Sequence, residues 1–110
     1  MSLPSPAELL TFAEGIALHA GEITLQYFGA QVEHQEKGDG TPVTLADRAA
    51  EEALRRRITE RFPDHGILGE EFGEKEGEAP VRWILDPIDG TRSFMRGVPL
   101  YAVLIGVEVE

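Results

Sequence analysis

The sequence predicts an α+β protein in which two amphipathic helices come first and pack on one face of a mostly antiparallel sheet. Three observations carry this. Apolar residues recur at three- and four-residue steps from Leu9 to Phe28, and do so again from Leu45 to Phe62. Over residues 101–109 the period changes to two, with Tyr101, Val103, Ile105, Val107 and Val109 on one face. The order of elements is therefore helix, helix, strands, as in a layered α+β arrangement.

Each element has its own local cause. Ser5-Pro6-Ala7-Glu8 has the form of a capping box with proline at the first helical position, so the first helix starts at Pro6. Its stripe of Leu9, Phe12, Ala13, Ile16, Ala17, Ala20, Ile23, Tyr27 and Phe28 runs to Gly29, where the helix is expected to stop. Gly15 and Gly21 weaken it by about 1 kcal/mol each relative to alanine, and are read as leaving room for a partner helix. Residues 30–43 are polar and glycine-rich, and Lys37-Gly38-Asp39-Gly40 reads as a loop. Thr44 can cap the second helix, whose stripe is Leu45, Ala49, Ala53, Leu54, Ile58 and Phe62 and whose end is Pro63. The three arginines Arg55, Arg56 and Arg57 fan around that helix, so they are read as a solvated face. Ile67-Leu68 is a short strand candidate ending in Gly69-Glu70-Glu71. The polar residues 72–80 read as a hairpin-like connection to the strand at 81–85, which would bring Glu70 near Asp86.

Composition narrows the function. With 110 residues the chain is at most one domain, and 42% hydrophobic residues is ordinary for a globular protein. Twenty acidic against ten basic residues give a net charge of -10, which repels nucleic acid and anionic membranes, so neither is expected as a partner. The glutamates at 74, 76 and 78 read as a solvated surface. Cysteine is absent, which excludes disulfides and thiolate zinc sites, and His19, His34 and His65 lack ligand spacing. No apolar run approaches the ~20 residues of a membrane span, and no secretory signal is visible, so a soluble cytoplasmic protein is expected.

The chemistry concentrates in Trp83-Ile84-Leu85-Asp86-Pro87-Ile88-Asp89-Gly90-Thr91-Arg92-Ser93-Phe94, an apolar strand that breaks into two carboxylates, a glycine and a threonine. A turn across Pro87 would swing Asp86 and Asp89 toward one point and expose the Ile88 carbonyl between them, an all-oxygen site for a hard cation. Gly90 lets the backbone approach a ligand, and a short helix at 91–94 would offer N–H groups to an anion. An Asp-x-x-Asp-Gly segment can also be only a turn. A calcium loop of the EF-hand kind is excluded by Pro87 at an alternate position, and an aspartyl-nucleophile phosphatase spaces its aspartates one residue closer.

Gly69-Glu70-Glu71, the Trp83–Thr91 run, Ser93-Phe94 and Gly97-Val98-Pro99, with Lys37 and Asp47 upstream, resemble the inositol monophosphatase family. The resemblance implies the N-terminal part of a layered αβαβα sugar-phosphatase fold and a magnesium-dependent, lithium-sensitive phosphatase, homodimeric, acting on a small phosphate monoester. It implies Glu70, Asp86, the Ile88 carbonyl and Asp89 as metal ligands, with Glu70 and Thr91 orienting the attacking water. It gives Asp47 the task of accepting a hydrogen bond from Thr91, although a carboxylate at that position can equally complete a capping box. Backbone N–H groups of Gly90 and Thr91 would hold the phosphate, and Lys37 is either a cation near it or a solvated lysine. Arg92-Ser93-Phe94 and Gly97-Val98-Pro99 look more like the bacterial histidinol-phosphate branch than the inositol-1-phosphate branch. Family members are much longer, with a third metal-binding aspartate and much of the pocket in the remainder. Residues 1–110 are thus read as the N-terminal, metal-binding part of such a domain, expected to be a poor catalyst alone. The rival readings are a non-catalytic, metal-binding or self-associating fragment, associating through strand 101–109, and a small structural domain with accidental turn motifs.

Overall fold

The computed structural model describes residues 3–27, 34–36, 42–89 and 102–109. In chain order these form helix α1 (Pro6–Leu25), strands β1 (His34–Glu36) and β2 (Pro42–Thr44), helix α2 (Leu45–Arg61), and strands β3 (Gly66–Gly69), β4 (Gly73–Lys75), β5 (Val81–Asp89) and β6 (Ala102–Val109). The N-cap is as expected, with the Ser5 side chain accepting from the Glu8 N–H at 3.1 Å and proline opening the helix. The C-terminus comes four residues earlier than the apolar pattern predicts. The Gln26 and Tyr27 N–H groups reach back three residues to Ile23 and Thr24, and the Thr24 hydroxyl donates to the Gly21 carbonyl at 2.8 Å. Such short-range bonds tighten and end a helix. The 30–43 segment was expected to lack regular structure, but β1 and β2 pair antiparallel there, His34 opposite Thr44. Residues 37–41 lie outside the described residues.

A four-stranded sheet runs in the order β4-β3-β5-β6. Two of its pairings are antiparallel, but the central pair, β3 with β5, is parallel with Gly66 opposite Arg82 and Gly69 opposite Leu85. The segment expected to be a hairpin between these strands instead contains β4, which folds back on the outer edge of β3. Gly73 closes that tight turn with φ +72, a value glycine adopts without a steric penalty.

Both helices cover one face of the sheet. Leu9, Ile16 and Ala20 of α1, Ala50, Leu54 and Ile58 of α2, Ile67 of β3, and Val81, Trp83 and Leu85 of β5 form one buried cluster. Val103, Ile105 and Val107 of β6 pack against it, so the period-two pattern faces as expected. At its centre Phe12 meets Phe62 and Trp83 edge-on, at 5.2 and 5.7 Å between ring centres. The Trp83 indole donates to His65 Nδ1 at 3.0 Å. His65 is thus structural, and burial holds its pKa below the ordinary value, with Lys75 acting in the same sense and Asp64 against. Two helical readings need correcting. A Cβ on Gly15 or Gly21 would meet nothing within 4 Å, so no partner helix packs there among the described residues. In α2 the expected Ala53, Leu54 and Ile58 are buried, as is Phe62 just after it, but in its first turns Leu45 is 52% exposed and the buried face carries Asp47 and Glu51, 2% and 0% exposed, instead.

Candidate metal centre

The parallel register decides where the acidic residues go. Because Gly69 lies opposite Leu85, the next residues on the two chains, Glu70 and Asp86, stand level at the same end of neighbouring strands. Such strands lie about 4.8 Å apart. An antiparallel hairpin would have sent Glu70 to the start of β5 instead. Glu70 is exposed and Asp86 is half-buried.

Beyond Asp86 the chain does not turn, as the sequence suggested, but stays in β5 to Asp89. The register with β6 shifts there: Asp86 is opposite Leu104 and Asp89 is opposite Ala102, so three steps on β5 match two on β6. A strand alternates faces at every residue, and positions 86 and 89 would ordinarily face apart. The irregularity absorbs the odd residue, so that position 89 pairs with Ala102, two residues from the Leu104 partner of position 86. Pro87, which lacks an N–H for the ladder, sits within the irregularity, where proline is tolerated. Ile88 is 2% exposed and clusters with Ala46 and Tyr27, which locks the first turn of α2 against this end of β5. Asp47 belongs to that turn and is buried, 2% exposed. Asp47, Glu70, Asp86 and Ile88 are each engaged by neighbouring groups.

The described donors are carboxylates of Glu70 and Asp86 with the carbonyl of Ile88 between positions 86 and 89, a hard oxygen set that fits magnesium better than a soft metal. Among the described residues no three His, Cys, Asp or Glu side chains form a group able to hold a metal. The Asp89 side chain is not among those described, and neither are Lys37, Gly90, Thr91 and the expected helix at 91–94.

Sequence reasoning missed Glu51. Its carboxylate, fully buried, accepts the N–H groups of Glu71 and Phe72, each at 3.0 Å, and pairs with Arg55 at 3.0 Å. Arg55 also donates to the Gly73 carbonyl and stands over the Phe72 ring, so it does not belong to a solvated basic face. A signal was present. Asp47, Glu51, Leu54 and Ile58 follow helical spacing, and an acid within an apolar stripe is a buried charge with a task.

Two helices laid over a mixed sheet with an acidic strand end define the front layers of an α+β sandwich. The chain belongs to the inositol monophosphatase family, whose sequence model matches residues 5–110. It is 54% identical over 102 residues to a histidinol-phosphatase of Chlorobaculum parvum, covering 92% of this chain and 39% of that protein. A histidinol-phosphatase of Mycobacterium tuberculosis is 46% identical over 99 residues, which cover 89% of this chain and 38% of the relative. The fold matches the crystal structure of extragenic suppressor protein SuhB from Bartonella henselae with a TM-score of 0.86 and 32% identity, over 92% of this chain and 40% of that one. The chain thus spans about 40% of the length of these relatives.

Proposed function

We propose that these residues form the N-terminal, metal-binding part of a magnesium-dependent phosphatase that hydrolyses a small phosphate monoester. The observation that supports this is the strand register: the parallel β3–β5 pairing ends at Gly69 opposite Leu85, one residue before Glu70 and Asp86, and the β5–β6 register shifts between Asp86 and Asp89. Histidinol phosphate is the preferred substrate, supported by the names of the two relatives and by Arg92-Ser93-Phe94 and Gly97-Val98-Pro99. Inositol 1-phosphate is the second choice. The whole enzyme is read as a lithium-sensitive homodimer, as the family resemblance implies, and as cytoplasmic.

Glu70, Asp86, Asp89 and the Ile88 carbonyl would hold magnesium, which when bound would lower the pKa of the attacking water and neutralise charge on the phosphate. Glu70 and the Thr91 hydroxyl orient that water in line with the phosphorus, and Glu70 accepts its proton as the bond to phosphorus forms. The P–O bond to the alcohol breaks, and the leaving alkoxide takes up a proton from solvent. Asp47, accepting from the Thr91 hydroxyl, keeps that hydroxyl aimed at the water. N–H groups of Gly90 and Thr91 bind phosphate oxygens, and Lys37 balances their charge. None of these groups selects the alcohol.

A second reading, a metal-binding or self-associating fragment without turnover, is favoured by one feature. Among the described residues β6 is an edge strand, and beside it Leu10 and Val109, 61% and 53% exposed, line an apolar cavity of about 400 Å³ with Ile105 and Val107. Phosphate release from histidinol phosphate and inositol 1-phosphate, each with magnesium and with chelator, separates the readings. Slow, magnesium-dependent release, faster from histidinol phosphate than from inositol 1-phosphate, is expected of this chain, which spans about 40% of its relatives' length. Metal binding without release favours the fragment, and neither binding nor release removes both.

A further inference from the structure

We propose that Glu51 is a positioning residue for the metal ligand Glu70, acting through the backbone of the turn that joins β3 to β4; this rests on the phosphatase reading above. Glu70 sits on a three-residue connection between Gly69 and Gly73, and a turn of that kind on an exposed sheet end is not stiff by itself. The Glu51–Arg55 pair grips it on both sides of Glu70. Upstream, Gly69 lies so close to the Glu51 carboxylate that a Cβ there would stand 2.4 Å from Oε2. Downstream, Glu51 Oε1 accepts from the Glu71 N–H and Oε2 from the Phe72 N–H, and Arg55 donates to the Gly73 carbonyl.

A fully buried carboxylate is a costly way to fill a core position, which an apolar residue would occupy better. What a carboxylate does here, and an apolar residue cannot, is accept two adjacent N–H groups and so set the direction of the peptides flanking Glu70. One helical turn earlier in α2, Ala46, the neighbour of buried Asp47, clusters with Ile88 of β5. Helix α2 thereby references both acidic strand ends to one rigid element, and a ligand set is only as well placed as the groups that hold it.

The test is magnesium binding by the 110-residue chain, read by titration calorimetry and by the magnesium-induced rise in melting temperature, with amide exchange at Glu71 and Phe72 as a local probe. Glu51→Gln keeps the shape but sets an amide N–H₂ against backbone N–H donors. It is expected to weaken magnesium binding by about ten- to a hundredfold, the usual cost of losing a group that orients a ligand. Ile58→Val, which loosens the core remote from the turn, lowers the melting temperature without that loss. Combining Glu51→Gln with Glu70→Gln should weaken binding no further than Glu70→Gln alone. If Glu51→Gln does not fold, Arg55→Lys, which leaves the carboxylate but loses the fork that holds it, should shift affinity in the same direction by less. Unchanged affinity in the folded variants, or additive losses in the pair, overturns the assignment to Glu51 alone. No magnesium binding by the unaltered chain overturns the phosphatase reading and this proposal with it.

Discussion

Replacing Gly69 by alanine puts the packing of the Glu70 turn under direct strain. The added Cβ would stand 2.4, 2.5 and 2.7 Å from Oε2, Cδ and Oε1 of Glu51, all inside van der Waals contact. Position 69 has no positive φ, so alanine meets no backbone penalty and the effect isolates space. A carboxylate tip would normally swing aside cheaply. Here it is fully buried and held by Arg55 and by two N–H groups, each at 3.0 Å, so yielding means breaking those bonds. Hydrogen bonds to a charged group contribute about 1.5–3 kcal/mol each. Alanine returns about 0.4–1 kcal/mol by restricting the unfolded chain. The expected loss is about 3–5 kcal/mol, the range for breaking one side of a buried ion pair. Against a typical domain stability of about 5–15 kcal/mol that is a large share, easily resolved in urea unfolding followed by circular dichroism. A loss below about 1 kcal/mol, with an unchanged slope, would mean that the Glu51 carboxylate moves at little cost and that its clamp is weak.

Further outcomes follow from other parts of the molecule. His65 has a depressed pKa, so its contribution to stability is whole above about pH 6.5 and falls as the pH drops toward its folded value, because the unfolded chain then binds the proton more readily. Urea midpoints at pH 7.5, 6.5 and 5.5 should show this decline, and His65→Gln, which keeps an acceptor for Trp83, should flatten it. Magnesium should raise the melting temperature of the chain, and Asp89→Asn should remove the rise while leaving the fold intact; identical transitions in magnesium and chelator would exclude the metal site. Any hydrolysis should be inhibited by lithium far more than by sodium, and Thr91→Val should cut turnover more than metal affinity, which parallel kinetics and calorimetry would show. Gly15→Ala, where a Cβ meets nothing within 4 Å, should stabilise the helix by about 0.5–1 kcal/mol, visible as a higher urea midpoint.

Much of the molecule is legible in local chemistry. Ser5, Pro6 and Glu8 start α1, Pro63 follows the end of α2, and the alternation of Val103, Ile105 and Val107 turns one face of β6 inward, because caps, breakers and periodicity act through neighbours in the chain. The candidate ligands Glu70, Asp86 and Asp89 and the family resemblance are likewise written in short motifs. Three things were decided only by the tertiary structure. Strands β3 and β5 run parallel, with β4 on the outer edge, and that register rather than a hairpin sets Glu70 level with Asp86. A register shift rather than a turn separates Asp86 from Asp89, with three steps on β5 matching two on β6 because the extra residue is absorbed within the strand. The face of α2 that is buried carries Asp47 and Glu51 among its apolar residues, and Glu51 can be buried only because Arg55 and two backbone N–H groups twenty residues away meet it there. Pairing partners distant in the chain leave no trace in local periodicity, since a strand has the same pattern whichever neighbour it joins and an acid looks solvated until its partners are placed.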